Sequence, residues 1–351
     1  MPGNDRIYSS GFDIRHNGSP LGDDAAWRIE EISVEDELDA PAMFRITVNC
    51  TDFTTMSWKD INLETFNLGD EIKISMGINQ NVAMMTGEIT SLEPQFGESC
   101  TMEIRGFDRM HKLRFGTFRR SFAEMTDSDI VSSIVQEAGL TVKADSTSTV
   151  HPYVFQNNIS NYEFLRRRAS ECGFEIMVDN KTFVFRQSQE SSSPVVTLEY
   201  GLDLERLSIS MKALTEGSSV EVRGWDVLNK TEISASATSG NELSLMKGSK
   251  SGFAMSGQAF SDSATVLSST PVVDASHAET IAKAVYNARL REFLSAEGST
   301  NGNPGIRAGK TIEIKGLGTK FSGVYYVVSS THTISSRDGY STTFKLRRTA
   351  V

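Results

Sequence analysis

Strict alternation of apolar and polar residues is what most restricts the fold of this chain. "FRITVN" (Phe44 to Asn49), "DEIKISMG" (Asp70 to Gly77), "GEITSLEP" (Gly87 to Pro94) and "CTMEIRGF" (Cys100 to Phe107) each put every second side chain on one face. A period of two belongs to strands with one buried and one wet face. Gly69, Gly87 and Gly97 read as the turns between them. Short consecutive strands with turn signals predict an antiparallel barrel or sandwich up to about Arg114.

The texture then changes. "TDSDIVSSIVQEAGL" offers Thr126 or Asp127 as an N-cap. Apolar Ile130, Val131, Ile134, Val135 and Ala138 follow at helical spacing, and Gly139 is a stop. A second helix is capped by Ser160 or Asn161, carries Tyr162, Leu165, Ala169 and Cys172 on one side, and ends at Gly173. "FEIMVD" and "TFVFRQ" follow as a strand pair, completing a small α/β unit. From Pro194 the chain returns to strands. A Ser/Thr/Ala/Gly-rich stretch from 231 to 272 reads as long loops with one or two strands. A helix is predicted over 274–296, and the tail is strands again.

Repetition organises this order. "EIRGFDRMHK" (Glu103 to Lys112) and "EVRGWDVLNK" (Glu221 to Lys230) share Glu, Arg, Gly, Asp and Lys at the same offsets. Gly69 to Ile74 resembles Gly309 to Ile314, and in each place a second glycine, Gly87 or Gly323, is expected to open the next strand. The expectation is a duplicated β-barrel module, with its strands partly in a different order the second time. The domains are then a first barrel over 1–115, an α/β domain over 116–190, and a second barrel over 191–351 carrying the 231–272 insertion and the 274–296 helix.

Bulk properties narrow the partners. A chain of 351 residues has room for two or three domains, and 38% hydrophobic with 23% charged residues is a globular composition. A net charge of -10 disfavours general binding to nucleic acid or anionic membranes. Arg166, Arg167 and Arg168 form a local basic patch within this acidic background. Cys50, Cys100 and Cys172 lie far apart in sequence, which fits reduced thiols in a protein folded in the cytosol. The N-terminus lacks the basic and apolar regions of a secretory signal, and no apolar run approaches the ~20 residues of a membrane span.

Together these features resemble the baseplate hub family of contractile injection machines, the phage late-control protein D group and the N-terminal part of VgrG-type proteins. The resemblance rests on "YVFQNNISNYEFLRRRASECGFEIMVDNKTFVFR", in which Asn161, Phe164, Leu165, Arg168, Gly173 and Phe174 match the family's helix and the strand after it. "WRIEEISVEDELDAPAMFRITV" and "MMTGEITSLEP" through "EIRGFDRMHKLR" resemble its first barrel. The resemblance implies a mainly β (α+β) fold: two related antiparallel barrels per chain, three chains forming a pseudo-hexameric ring. It implies a non-enzymatic adapter between a hexameric inner tube or its initiator proteins and a trimeric spike, contacting baseplate or wedge proteins. It would assemble in a bacterial cytoplasm and reside in a virion or extracellular contractile particle. The family's VgrG members continue into a spike, whereas this sequence stops at "LRRTAV", so a separate spike chain is expected.

Chemical motifs weigh little beside this. "NPGIRAGKT" (Asn303 to Thr311) lacks the first glycine of a phosphate loop, having Pro304 there, and leads into a strand where a helix is required. His16, His111, His151, His277 and His332 show no zinc spacing. Cys172 sits at an apolar helix position with no base indicated by the sequence. No hydrolase serine elbow is present. No metal and no cofactor are expected. The acidic run from Glu30 to Asp39 alternates with Ile32, Val34 and Leu38, so it is a strand with a solvated face or a lining of the tube lumen. Arg166 and Arg167 face either solvent or a neighbouring subunit. The alternatives are a tail-associated cell-wall hydrolase, which needs a positioned acid or base, and a carbohydrate-binding β module, which needs clustered aromatics. The chain's tryptophans are Trp27, Trp58 and Trp225.

Overall fold

In the computed structural model, residues 10–22, 28–52, 57–58, 66–97, 100–227, 229–261 and 263–351 are described. Trp27, the Trp58 side chain and Leu228 of the second decapeptide lie outside them. The alternating segments form strands β1 (Ser10–His16), β2 (Ile29–Glu37), β3 (Met43–Asn49), β4 (Glu71–Ile78), β5 (Val82–Gln95) and β6 (Thr101–Asp108). Their side order is β1-β4-β5-β6-β3-β2, every pair antiparallel. Ile32, Val34, Phe44, Ile46, Ile72, Ile74 and Ile104 fill one core from one face of each strand.

The chain then builds β7 (Phe118–Phe122), α1 (Asp127–Glu137), β8 (Thr141–Ala144), β9 (Val154–Ile159), α2 (Asn161–Cys172), β10 (Phe174–Asp179) and β11 (Thr182–Gln187). This α/β unit has a core of its own, including Ile130, Ile134, Leu165, Phe183 and Phe185. Thr126 caps α1 in a capping box with Asp129, and Ser160 caps α2, while Gly173 ends α2 with φ of 70°.

Next come β12 (Val196–Glu199), β13 (Leu204–Met211), β14 (Ser219–Asp226), β15 (Thr231–Ala237), α3 (Gly252–Ala259), β16 (Ala264–Leu267), α4 (Ala275–Leu290), β17 (Leu294–Asn301), β18 (Thr311–Lys315), β19 (Gly323–Ser335) and β20 (Gly339–Arg348). Six of these strands take the order β12-β18-β19-β20-β17-β13. That is the first module's order, strand for strand.

The correspondence extends to register. Strand β5 has an irregularity between Ile89 and Ser91 against β6, and β19 has one between Val327 and Ser329 against β20. Strand β2 is irregular between Ile29 and Glu31, and β13 between Leu204 and Arg206. The turn amide of Gly69 donates to Ile89 O at 2.8 Å, and that of Gly309 to Val327 O at 3.0 Å. Bulges add one residue to one strand and are features of a family's backbone, so two at matching places mark one module used twice. The modules differ at one edge, where β1 runs antiparallel to β4 and β12 parallel to β18.

The fold corrects several expectations. The strands recur in the same order; what differs is an insertion between β13 and β17. That insertion is a second α/β unit, in which the sheet β15-β14-β16 packs on α4 around Val220, Val222, Ile233, Phe253 and Tyr286. Of the long loops with one or two strands expected over 231–272, β15 and β16 are those strands, and the helix α3 between them is an addition. The predicted helix over 274–296 spans Ala275–Leu290, because Leu294 and Ala296 turn into the second module's core. The two decapeptides are not equivalent: Glu103 to Asp108 lies in β6 of the first module, Glu221 to Asp226 in β14 of the second α/β unit. Trp225 is accordingly 59% exposed on the outer face of that small sheet rather than packed in a barrel. Gly87 is inside β5, not in a turn.

The two modules are fused edge to edge. Strand β2 pairs antiparallel with β19, Glu37 opposite Ser329 through Glu31 opposite Ser335, giving, with the two-residue strand Ser19–Pro20 beside β1, one 13-stranded sheet. Asp36 of β2 accepts from Arg307 Nε at 2.5 Å, from Ala308 N at 3.3 Å and from the Ser330 hydroxyl.

Close approach of strands sets one testable position. A Cβ on Gly106 would lie 2.2 Å from Glu88 O and 2.4 Å from the Phe44 ring. Gly106→Ala is expected to destabilise the protein by about 1–3 kcal/mol through overpacking, read as a lower urea midpoint. An unchanged midpoint would show that β5 and β6 are not so close.

Candidate functional site

Helix α2 and the residues that follow it supply the positions singled out in the sequence: Asn161, Phe164 and Leu165 pack within the first α/β unit, and Arg168 and Gly173 lie towards the seam with the second. Leu165 is fully buried, and Phe164 stacks on Phe122 with ring centroids 5.7 Å apart. Asn161 Oδ1 accepts from Arg120 Nη2 at 2.7 Å and from Gln156 Nε2 at 3.0 Å. Phe174 tilts against Phe185 at 4.8 Å. A Cβ on Gly173 would meet the Ala284 Cβ at 3.3 Å, so this glycine both ends α2 and lets α4 approach it.

Arg168 is the centre of a buried polar cluster that sequence reasoning did not assemble. Its Nε donates to Asp127 Oδ1 at 2.5 Å, and its Nη1 to Glu171 Oε2 at 2.6 Å. Asp127 Oδ2 lies 2.9 Å from His151 Nε2 and accepts from the Cys172 thiol at 3.2 Å. The His151 ring meets that of His277, on α4, edge to face at 5.0 Å. Burial alone would raise the Asp127 pKa, but the bonds from His151 and Arg168 outweigh it and hold the carboxyl down at about 2. Burial pushes the Cys172 thiol up, and the Asp127 charge pushes it further. The thiol therefore stays protonated and donates, which is the opposite of what a nucleophile needs. This cluster holds elements together.

A second buried network ties the α/β units to the second module. Glu190, 1% exposed, accepts from Arg291 Nε at 2.8 Å and from Arg347 Nε at 2.9 Å. Glu175 accepts from Arg347 Nη2 at 3.0 Å and from the Tyr326 hydroxyl at 2.7 Å. Between the networks lies a cleft of about 480 Å³ lined by Glu171, Gln187, Asn241, Lys283 and Asn287 among others. Arg166 and Arg167 are exposed, and both pair with Glu163 of their own helix.

The other sequence candidates have structural places. Arg307, in "NPGIRAGKT", grips Asp36, and Gly309 turns the chain into β18, so that segment is a junction between modules. His332 is fully buried beside it, Nδ1 3.0 Å from the Tyr340 hydroxyl and Nε2 2.9 Å from Ile306 O. Burial lowers its pKa to about 4. Among the described residues no group of three or more His, Cys, Asp or Glu is placed to hold a metal ion, and no helix is long and apolar enough to cross a membrane.

The fused sheet also has one continuous polar face. Cross-strand neighbours run Ser91, Arg105, Arg45, Ser33, Thr333, Ser341 through both modules without a break. Glu31 pairs with Arg45, and Arg105 with Glu93 and Glu103. The acidic run of β2 is thus a strand with Ile32 and Val34 in the core, Glu31 and Glu35 on this face, and Asp36 turned to the core side against Arg307 and Ser330.

Residues 8–336 match the model of the family described as Alg8_N, the Alg8 N-terminal domain. No curated protein matches the sequence. Among solved structures, the 43 kDa tail protein of prophage MuSo2 from Shewanella oneidensis has a TM-score of 0.74 at 13% identity, over 97% of this chain and 98% of that one. A tail protein from Neisseria meningitidis MC58 has a TM-score of 0.67 at 13% identity, over 97% of each chain. The E. coli c3393 protein is described as a type VI secretion component structurally similar to the phage T4 tail proteins gp27 and gp5. It has a TM-score of 0.60 at 14% identity, over 98% of this chain and 76% of that one. At these identities the likeness is one of fold.

The seam makes stability depend on pH in two stages. Burial, His151 and Arg168 lower the His277 pKa below 6.5, against Asp127 and Asp274, so its contribution is present above pH 6.5 and is lost as pH falls from there through the lower folded value. Asp127, at about 2 when folded and 3.8 otherwise, contributes above pH 3.8 and fades as pH falls towards 2. Burial of His332 and Asp108 also makes stability depend on pH in this range, so the test is the difference in melting temperature between wild type and His277→Asn, which should shrink as pH falls from 8 to 5. A difference that stays constant over that range would contradict the assignment.

Proposed function

The chain belongs to the Alg8 N-terminal domain family and has the fold of phage tail and type VI secretion proteins, and from that premise we propose that it is a non-enzymatic baseplate hub. Three copies form a ring that joins a sixfold inner tube, or its initiator proteins, to a threefold spike, with baseplate or wedge proteins around it. The observation that carries this is the duplicated module. Two equivalent units per chain in a threefold ring present six equivalent positions to a sixfold partner.

The two ends of the sheet differ in the way an adapter needs. Both α/β units attach at the end where β6 and β20 finish, the first after Asp108 and the second between Met211 and Leu294. At the opposite end lie turns such as Gly201 to Asp203 and Ser336 to Asp338. Neither α/β unit attaches there, and in this reading that end meets the tube. The α/β end, with inserts at non-equivalent places, is threefold and suits the spike. The polar face of hydroxyls and paired charges lines the channel. Arg166 and Arg167, exposed on the α/β side, are offered to a neighbouring subunit. Assembly takes place in a bacterial cytoplasm, and the mature hub resides in a virion or contractile particle.

Light scattering on the purified chain tests this. A mass of three times 38.6 kDa is expected at micromolar concentration. A single-chain mass at high concentration, without binding to tube or spike proteins, would contradict it.

A further inference from the structure

The internal junction between modules is a template for the contact between chains. Strand β19 of the second module covers the free edge of β2 in the first. The equivalents of those strands are β5 and β13. Among the described residues β13 forms a ladder only with β17, beside an isolated bridge from Leu204 to Tyr200, and residues 91–95 of β5 pair only with β6. Each chain therefore holds one filled seam and the two unpaired halves of another.

We propose that β13 of one chain pairs antiparallel with the end of β5 in a second copy, and that this seam closes the ring. The proposal rests on the hub reading and fixes its geometry. Carrying the internal register across the matched strands sets Leu92 opposite Met211, Pro94 opposite Ile209 and Phe96 opposite Leu207. Glu93 then faces Ser210, and Gln95 faces Ser208. A one-residue slip would exchange the two faces, so the register is specified.

The chemistry of the edges agrees with that register. In the filled seam Ile32 and Val34 of β2 are 0% exposed, whereas their equivalents Leu207 and Ile209 are half-buried and Phe96 is 61% exposed. The inward-facing pairs of the new seam are all apolar. At the position where the filled seam has the Asp36–Ser330 hydrogen bond, the open one has Met211 and Leu92. A polar latch inside the chain is replaced by an apolar match between chains, which is the composition of a surface that is covered on assembly.

Pro94 has a defined consequence. The bonds of Leu38 N to Val328 O and Ser336 N to Glu30 O place the even-numbered amides of β19 on the β2 side. Pro94 corresponds to His332, so the seam between chains lacks that one bond. A proline facing outward on an edge also hinders pairing with unrelated strands.

Cysteines placed at Glu93 and Ser210 test the seam, since the equivalent internal pair, Thr331 and Glu35, is directly opposed. Glu93→Cys with Ser210→Cys, treated with oxidised glutathione, should give a closed covalent trimer on non-reducing gels. Glu93→Cys with Ile209→Cys, whose side chains point to opposite faces, should not. No cross-link in protein that keeps a trimeric mass would overturn the seam and leave the hub reading standing. A single-chain mass without cross-link would overturn both. A ladder running past three chains would overturn ring closure. Hydrogen exchange on the unmodified assembly gives a second measure. Amides of Leu207, Ile209 and Met211 should exchange as slowly as those of Ile32 and Val34, and immediate exchange there would overturn the seam.

Discussion

Antiparallel pairing between β2 and β19 is the interaction on which the rest of the structure depends. It turns two six-stranded modules into one sheet with a single polar face, and it fixes their relative rotation through a ladder of backbone bonds. Strand pairing by itself is tolerant of slippage where both faces are polar. Here Ile32, Val34 and Ile334 lie on the core side, and Asp36 binds Arg307 and Ser330 at one end. Slippage by one residue would expose the apolar residues and part Asp36 from Arg307 and Ser330 in a partly buried site, where an unpaired carboxylate is costly. The register is thus set by burial and by charge together.

The α/β units depend on that frame, and they break its repeat. One follows the last strand of the first module, and the other interrupts a hairpin of the second. They meet along α2 and α4, where Arg168, Asp127 and His151 are buried together, and Glu190 with Arg347 ties them to the sheet. Buried charges are expensive unless fully paired, and these are held by several partners each. The cluster contains a thiol, a histidine and a carboxylate, yet the proton sits on the thiol and the carboxylate is saturated. Composition alone would suggest chemistry; the hydrogen bonds assign a structural role.

Much of the fold was legible in the sequence. Period two located the strands of the first module, and Thr126, Ser160 and Gly173 delimited the first two helices, because capping and alternation are local rules. The duplication was legible only in part. Gly69 to Ile74 and Gly309 to Ile314 do correspond, but the more persuasive decapeptide echo does not, since similar strand-and-turn residues suit any half-buried strand. Core packing conceals the true equivalence. Where the first module sets Phe44 against Gly106, the second sets Ala296 against Leu346, and Ile46 with Ile104 becomes Gly298 with Phe344. In the first exchange volume is nearly kept while identity is exchanged; in the second, two medium side chains give way to one large ring beside a glycine. The second α/β unit was missed because its Ser/Gly-rich strands bury few large residues, although Ile233, Ala235 and Ala237 already alternate in "ISASA". The Arg168 cluster joins residues from separate elements, so no spacing announces it.

A three-dimensional electron-microscope reconstruction of the purified assembly tests the central claim most directly, because sections through it read the symmetry of each end separately. The duplicated module predicts six similar densities around a channel at the turn end and three larger ones at the α/β end. Three densities at both ends, or no ring, would show that the repeat within the chain does not serve to match a sixfold partner.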